Sequence, residues 1–278
     1  IIYKTFLSFF INLPYYLILN LFYLIKKYLI KNLAGSWIFY TTFPKIPLIN
    51  PEFKNIAQFA PPLGFLIGTI QSYIFLFLKT NSWSIYASTL ICLASGYLIT
   101  GGLHIDGLMD TFDGIFAGKK KRLKAMKDSK VGSFGVQALV FITLIQIACI
   151  LKIQNLIIFV LPICLFWGRF SNLFFIEKFK YMSYKKKSIS HKKFWNGFKK
   201  ESLISIIFLL IFIAYQFISI TSQAILIKFL ILILIGIYLS YSIPNILGKK
   251  IGGFNGDACG ASVVLVETAM LFMHAILL

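Results

Sequence analysis

The segment that decides the fold reads Asn155-Leu-Ile-Ile-Phe-Val-Leu-Pro-Ile-Cys-Leu-Phe-Trp-Gly-Arg-Phe-Ser-Asn-Leu-Phe-Phe-Ile176. A helix of about 20 mainly apolar residues is long enough to cross the roughly 30 Å hydrocarbon core of a lipid bilayer. Its single charged residue is Arg169, and an arginine at that depth is costly unless it faces a polar cavity or an acidic partner. The segment therefore predicts a transmembrane helix whose Arg169 points into the protein.

The rest of the chain repeats this pattern. Similar apolar runs occur at about 59–78, 83–103, 133–151, 202–222, 224–247 and 258–278. Of the 278 residues, 58% are hydrophobic and only 13% are charged, whereas roughly 25% are charged in an average soluble domain. We therefore predict an all-α fold: a polytopic integral membrane helical bundle with about seven transmembrane helices.

The N-terminal part is less regular. An eighth apolar run at about 5–25 contains Pro14, and we expect it either to span the membrane or, slightly favoured, to lie in the interface as an aromatic-rich anchor. The connections between the runs are too short to build a core of their own. One membrane domain is therefore predicted over 1–278, with 1–57 as N-terminal anchor and cytoplasmic segment and 58–278 as helical core.

The connections alternate in charge. Those at 26–57, 104–132, 177–201 and 248–257 are rich in lysine, and those at 79–82, 152–154 and 223 are short and nearly neutral. The positive-inside rule places the basic set on the cytoplasmic side of the cell membrane. A formal net charge of +19 would suggest nucleic acid in a soluble protein, but here the lysines flank apolar runs, so we expect lipid and not nucleic acid as a partner.

The first basic connection that carries a motif reads Gly101-Gly-Leu-His-Ile-Asp-Gly-Leu-Met-Asp-Thr-Phe-Asp-Gly114. On a helix, Asp106, Asp110 and Asp113 lie within about 60° of one another and share one face. Like charges so close repel, and a bound Mg²⁺ or Mn²⁺ that bridges to substrate phosphates relieves the repulsion. The alternatives are that the acids only solvate a helix end or pair with nearby lysines. His104, two residues before the first aspartate, is a candidate base or hydrogen-bond donor, or a simple interfacial histidine.

Two further segments are predicted to face the same side. The loop with Lys127, Asp128, Ser129, Lys130 and Gly132 follows the aspartates, and lysine with glycine suits phosphate, because lysine neutralises charge and glycine allows close approach of the backbone.

The last basic connection contains Gly252, Gly253, Gly256 and Asp257, which by composition alone is an ordinary turn. Glu267 follows inside the final apolar run, where an unpaired carboxylate would be expelled. Arg169 is a candidate partner for it.

The chain resembles the cobalamin synthase family, also called adenosylcobinamide-GDP ribazoletransferase. The resemblance rests on the motifs at 101–114, 126–132 and 252–257, with Glu267 at the family's spacing, and weaker similarity covers 7–14, 62–68 and the region of Arg169. It implies a membrane enzyme that joins α-ribazole, or its 5′-phosphate, to adenosylcobinamide-GDP with release of GMP, with Mg²⁺ required. The products are adenosylcobalamin or its 5′-phosphate.

For that reaction we expect each predicted residue to have one of three roles. Phosphoryl transfer depends mainly on charge neutralisation and alignment. In addition, we expect one aspartate to accept the proton of the ribazole hydroxyl. The metal ligands are Asp106, Asp110, Asp113 and Asp257. Catalysis is assigned to Asp113 as base, with His104, Lys127 and Arg169. Substrate binding is assigned to Asp128, Ser129, Lys130, Gly132, Gly252, Gly253, Gly256 and Glu267.

Two other functions are weighed against this one. A CDP-alcohol phosphotransferase is partly echoed by Asp110-Thr-Phe-Asp113-Gly114-Ile-Phe-Ala117, but Gly118 stands where that pattern has arginine. A transporter or channel would spread its carboxylates through the membrane depth, whereas here only Glu267 is clearly inside an apolar run. The oligomeric state stays open, a homo-oligomer included.

The alternation of charge makes a prediction about sidedness. Single cysteines placed near Lys120, Lys187 and Lys250 should react with a membrane-impermeant thiol reagent from the cytoplasmic side only, because two apolar runs separate each basic connection from the next. Labelling of any one of them from outside would contradict the topology.

Overall fold

The computed structural model describes residues 28–182, 191–219 and 222–278. Over these ranges the regular structure is helical, apart from one isolated bridge between Tyr181 and Phe254. The all-α prediction is therefore confirmed. The predicted anchor at 5–25 and much of the lysine-rich loop between 181 and 194 lie outside the described residues.

The helices follow the apolar runs. Helix α1 covers 28–40. The others are α2 (Ala60–Thr80), α3 (Ile85–Ile99), α4 (Leu103–Phe116), α5 (Arg122–Ala125), α6 (Ser133–Ile153), α7 (Ile157–Lys178), α8 (Phe198–Glu201), α9 (Leu203–Ser219), α10 (Gln223–Ile251) and α11 (Gly256–Leu277), with short 3₁₀ turns at Ile56–Phe59, Gln154–Leu156 and His191–Phe194.

Each of the seven predicted apolar runs contains a helix, but not all of these helices are long enough to span a bilayer. In the described part of the chain, five are long and apolar enough: Ile56–Thr80, Ser133–Ile153, Ile157–Lys178, Ile225–Ile251 and Gly256–Leu277. A sixth span is reached if α3 and α4 are taken together. Helix α9 is apolar but shorter.

The run at 83–103, predicted as one straight span, is the clearest difference. Helix α3 ends at Ile99, and α4 leaves at an angle of 87° to it. Gly101 and Gly102 adopt φ values of 61° and 69°, a region that glycine enters without the steric cost paid by other residues. Thr42 stabilises the break, because its backbone N–H donates a hydrogen bond to the carbonyl of Ile99, the last residue of α3, at 2.8 Å. The break turns the aspartate motif away from the axis of α3.

Helix α7 is the centre of the bundle. In the most apolar 18-residue stretch of α7, 83% of the residues are buried inside the protein, whereas the corresponding share for the Ile225–Ile251 span is 22%. Helix α2 packs closely along it through Gly64 and Gly68: an added Cβ would lie 2.4 Å from the Leu165 carbonyl oxygen at the first position and 2.7 Å from Pro162 Cα at the second. Small residues four apart let two membrane helices approach this closely.

Helices α4 and α11 cross with comparable closeness. A Cβ at Gly107 would lie 2.6 Å from the Asp257 carbonyl oxygen, and one at Gly260 would lie 3.2 Å from His104 Cα. This crossing brings the aspartate motif against the start of the last helix, so that two segments far apart in sequence form one site.

Candidate active site

The three aspartates of α4 line a common cleft. Its volume is about 270 Å³, and its opposite wall is the segment 126–131, with Lys127, Asp128, Ser129 and Lys130. The structure thus brings the carboxylates and the basic loop together, as the sequence spacing predicted. Asp106 and Asp110 accept no hydrogen bond through their carboxylates from any residue in the described ranges.

Asp113 is held differently from the other two aspartates. Its Oδ2 accepts the Gly132 N–H and its Oδ1 accepts the Gly135 N–H, both at 2.8 Å. The carboxylate therefore caps the N-terminus of α6, where free amide groups and the helix dipole favour a negative charge. Both glycines are needed, because an added Cβ would lie 2.2 Å and 2.6 Å from the Asp113 carboxylate oxygens. No local sequence pattern signals this cap, because it joins residues 19 and 22 positions apart.

The glycine-containing loop places Asp257 beside this group. Gly252 ends α10 with a φ of 93°. Phe254 then exchanges backbone hydrogen bonds with the segment after α7: its N–H donates to Lys180 O at 3.0 Å, and its carbonyl accepts from the Met182 N–H at 2.7 Å. Asn255 caps α11, and its Nδ2 donates to Asp257 Oδ2 at 2.9 Å. The loop is therefore rigidly tied to α7 and α11.

The donor set fits Mg²⁺ in one particular way. Within the described residues, no three His, Cys, Asp or Glu side chains converge into a ready-made metal site. Mg²⁺ is seldom held by such an all-protein cage, because it usually keeps several waters and binds one or two carboxylates together with substrate phosphates. The unengaged carboxylates of Asp106 and Asp110 suit that mode. The predicted four-aspartate ligand set, with Asp113 and Asp257, stays a prediction.

Arg169 and Glu267 form a direct ion pair. Arg169 Nη1 lies 2.6 Å from Glu267 Oε1, and the two side chains are only 2% and 12% exposed. The same nitrogen donates to the Leu165 carbonyl at 3.1 Å. The partnership expected from the sequence is thus confirmed. The pair lines a small cavity of about 50 Å³ together with Gln71, Tyr97 and His104, and not the aspartate cleft.

Arg122 was not singled out by the sequence analysis as a structural contact. Its Nη1 donates to the Ile251 carbonyl at 2.8 Å, next to the left-handed Gly252. A cation at a helix C-terminus donates to a free carbonyl group and interacts favourably with the negative end of the helix dipole. Arg122 therefore links the basic segment that follows α4 to the glycine-containing loop. Its position in a run of four basic residues gave no signal that distinguished it.

A larger cavity adjoins both the small cavity of the ion pair, through His104, and the aspartate cleft, through Asp106. The sequence did not predict it. It measures about 420 Å³, and its lining includes His104, Asp106, Asn172, Asp257, Cys259 and several aromatic side chains. Burial raises the pKa of the Tyr40 phenol in its wall, so that this hydroxyl stays protonated. Asn172, three residues after Arg169 in α7, faces this cavity; a polar residue in an apolar run was the one available signal.

The buried ion pair makes a prediction about stability. Arg169→Met and Glu267→Gln should each lower the free energy of unfolding by about 3–5 kcal/mol, because each strands an opposite charge. The double variant should lose less than the sum of the two. Thermal unfolding in detergent measures all three.

The matched control is the pair between Lys31 and Glu52, which are 3.4 Å apart with 31% and 34% of their side chains exposed. Its neutral variants should cost no more than about 1 kcal/mol. Strictly additive losses for Arg169 and Glu267 would show that their contact does not contribute.

Comparison with known proteins identifies relatives over nearly the whole chain. A family model described as cobalamin-5-phosphate synthase matches residues 32–275. A curated adenosylcobinamide-GDP ribazoletransferase of Prochlorococcus marinus (strain SARG) is 46% identical over 253 residues, which cover 90% of this chain and 96% of the relative. Enzymes of the same name from Prochlorococcus marinus (strain MIT 9313) and Thermoanaerobacter sp. (strain X514) are 38% and 32% identical, covering 90% and 87% of this chain and 96% of each relative. No solved structure matches. With the family model spanning both halves of the site, the chain belongs to the cobalamin-5-phosphate synthase family.

Proposed function

We propose that this protein is an adenosylcobinamide-GDP ribazoletransferase, which joins α-ribazole or its 5′-phosphate to adenosylcobinamide-GDP and releases GMP in the last steps of cobalamin biosynthesis. The observation that carries the proposal is the cleft in which three carboxylates face Lys127 and Lys130. Relatives of that name, at up to 46% identity, support it over the CDP-alcohol phosphotransferase and transporter alternatives.

The transfer is a displacement at phosphorus. The ribazole hydroxyl oxygen attacks the phosphorus that bears the cobinamide, the P–O bond to GMP breaks, and the bonding electrons leave with the GMP oxygen. The hydroxyl proton passes to a carboxylate. Such a reaction depends mainly on positioning and on neutralising charge. Lys127 and Lys130 on the cleft wall are placed to stabilise the negative charge that develops on GMP.

The general base is one of the aspartates on α4. Asp113 is the predicted base, but each of its oxygens already accepts one amide hydrogen bond. Asp106 is the alternative, because it lines both the aspartate cleft and the larger cavity. His104 stands beside it at the same junction. Arg169 is paired with Glu267 and lines the small cavity that also contains His104, and its direct contact with the GDP moiety stays a prediction.

Mg²⁺ is part of the proposal. Asp106 and Asp110 would hold it, with Asp257 nearby, and it would neutralise the diphosphate. Gly132 leaves the backbone of its loop close to the Asp113 carboxylate, because an added Cβ there would lie 2.2 Å from Oδ1. We place the protein in the cell membrane with the cleft on the cytoplasmic face, in contact with lipid along its apolar helices. This follows from the basic connections.

Substitutions of Asp110 and Asp113 should differ in their effect on stability, because only Asp113 caps a helix. Asp110→Ala and Asp113→Ala should each lower GMP release by about 100-fold or more. Only Asp113→Ala should also lower the unfolding temperature, since it removes a helix cap worth about 1 kcal/mol. Steady-state kinetics and thermal unfolding in detergent measure both effects. Full turnover in Asp110→Ala, or equal loss of stability in the two variants, would reject these assignments.

The activity itself is tested with purified protein in lipid nanodiscs, adenosylcobinamide-GDP and α-ribazole phosphate. GMP release should require both substrates, stop on chelation and return on addition of Mg²⁺. Release without ribazole would indicate a hydrolase, and no release would reject the proposed function. Activity unaffected by chelation would remove Mg²⁺ from the proposal and leave the transferase standing.

A further inference from the structure

We propose that the 420 Å³ cavity between α1, α4, α7 and α11 binds the heteroaromatic base of the acceptor nucleoside, with the side-chain amide of Asn172 hydrogen-bonded to the nucleoside. The inference rests on the proposed transferase function and adds a location and a residue for one of the two substrates. The volume of the cavity falls within the range of about 300–1,000 Å³ typical of small-molecule sites.

Six of the sixteen residues that line the cavity are aromatic. Phe39, Tyr40, Phe53, Phe194 and Phe254 line it together with Tyr181. Flat aromatic side chains suit a planar base, because offset stacking and edge contacts between rings are favourable beyond the burial of apolar area. The aromatic part of the wall therefore suits a planar ring system.

A buried polar network fixes the outer wall. Asn55 Nδ2 donates to Glu201 Oε1 at 2.7 Å and to the Phe194 carbonyl at 3.1 Å, and the Asn55 N–H donates to Asn32 Oδ1 at 3.1 Å. Asn55 and Glu201 are only 6% and 3% exposed. This network ties α1 to the 191–201 segment, so that the aromatic wall is held in place before a ligand arrives.

Two polar groups in the lining have no partner in the described part of the chain. Asn172 Oδ1 and His104 Nε2 are buried without a hydrogen bond, in side chains that are 8% and 6% exposed. A buried polar atom left without a hydrogen bond is destabilising, so each of these atoms calls for a partner. Asn172 lines this cavity and not the small cavity of the ion pair, whereas His104 lines both. The amide of Asn172 is thus the group available to a ligand here.

Charge distinguishes the acceptor base from the guanine nucleotide. Among the described lining residues none is Lys or Arg, and the charged ones are Asp106 and Asp257. A nucleotide phosphate is repelled there and attracted to the neighbouring cleft with Lys127 and Lys130. The two cavities meet at Asp106, so a nucleoside whose base fills the aromatic cavity presents its ribose hydroxyl towards the aspartates.

The native Cys259 reports on occupancy. It lines the cavity, and its partial exposure contrasts with the buried Cys92, Cys149 and Cys164. In nanodiscs, α-ribazole at about ten times its dissociation constant should slow alkylation of Cys259 by N-ethylmaleimide roughly tenfold, by mass action. GMP should not slow it. Mass spectrometry of the cysteine-containing peptides measures the rates, with the other cysteines as internal controls.

Asn172→Leu tests the specific contact. It should weaken α-ribazole binding roughly tenfold, the equivalent of one hydrogen bond, and leave GMP binding unchanged. Asn245→Leu is the matched control, because Asn245 also carries a buried carbonyl oxygen without a described partner but lies outside the cavity; it should change neither. If Asn172→Leu fails to fold, the Cys259 measurement on the native chain still decides.

The outcomes separate this inference from the proposed function. Protection of Cys259 by GMP and not by α-ribazole would assign the cavity to guanine and overturn the inference. So would GMP release that needs both substrates while α-ribazole leaves Cys259 unprotected, and in that case the transferase function stands. Protection by α-ribazole without turnover would reject the function and support the cavity assignment. Unchanged ribazole affinity in Asn172→Leu would remove that residue from recognition.

Discussion

The ion pair between Arg169 and Glu267 is the interaction on which the rest of the structure depends. Lipid offers no water to solvate a charge, so a charged residue inside the bundle needs a partner from another helix. The 2.6 Å contact ties α7, the central helix, to α11. Because α2 packs closely on α7 and α4 packs closely on α11, this ion pair, together with the hydrogen bond between Ser171 and Ser262, joins the two close-packed helix pairs.

The candidate site lies at one edge of the bundle, where α3 gives way to α4 and where α11 begins. The left-handed Gly101 and Gly102 turn α4 by 87°, and Gly107 lets it cross α11 beside Asp257. The aspartates thereby gather at one edge of the bundle instead of continuing through it. Carboxylates that would be costly in hydrocarbon are thereby concentrated around an open cleft at the edge of the bundle.

One of these aspartates has two possible tasks. The spacing of Asp113 predicts a metal ligand and base, and the structure shows that it also caps α6 through Gly132 and Gly135. A carboxylate fixed by two amides is well oriented, which suits a site that works by positioning. The same contacts leave Asp106 and Asp110 as the less engaged donors. Asp113 therefore has a structural role as a helix cap, and its role as metal ligand and base stays a prediction.

The sequence by itself determined the helical membrane fold, the positions of the apolar helices, the grouping of aspartates with the basic loop and the need of Arg169 for an acidic partner. These depend on local quantities: the length of an apolar run, the period of a helix and the cost of a charge in lipid. The tertiary structure alone decided the break after Ile99, the capping role of Asp113 and the aromatic cavity around Asn172. The cap and the cavity arise from contacts between segments distant in the chain, because side chains from separate helices acquire neighbours only when the helices pack. The break combines the adjacent Gly101 and Gly102 with a hydrogen bond from the distant Thr42.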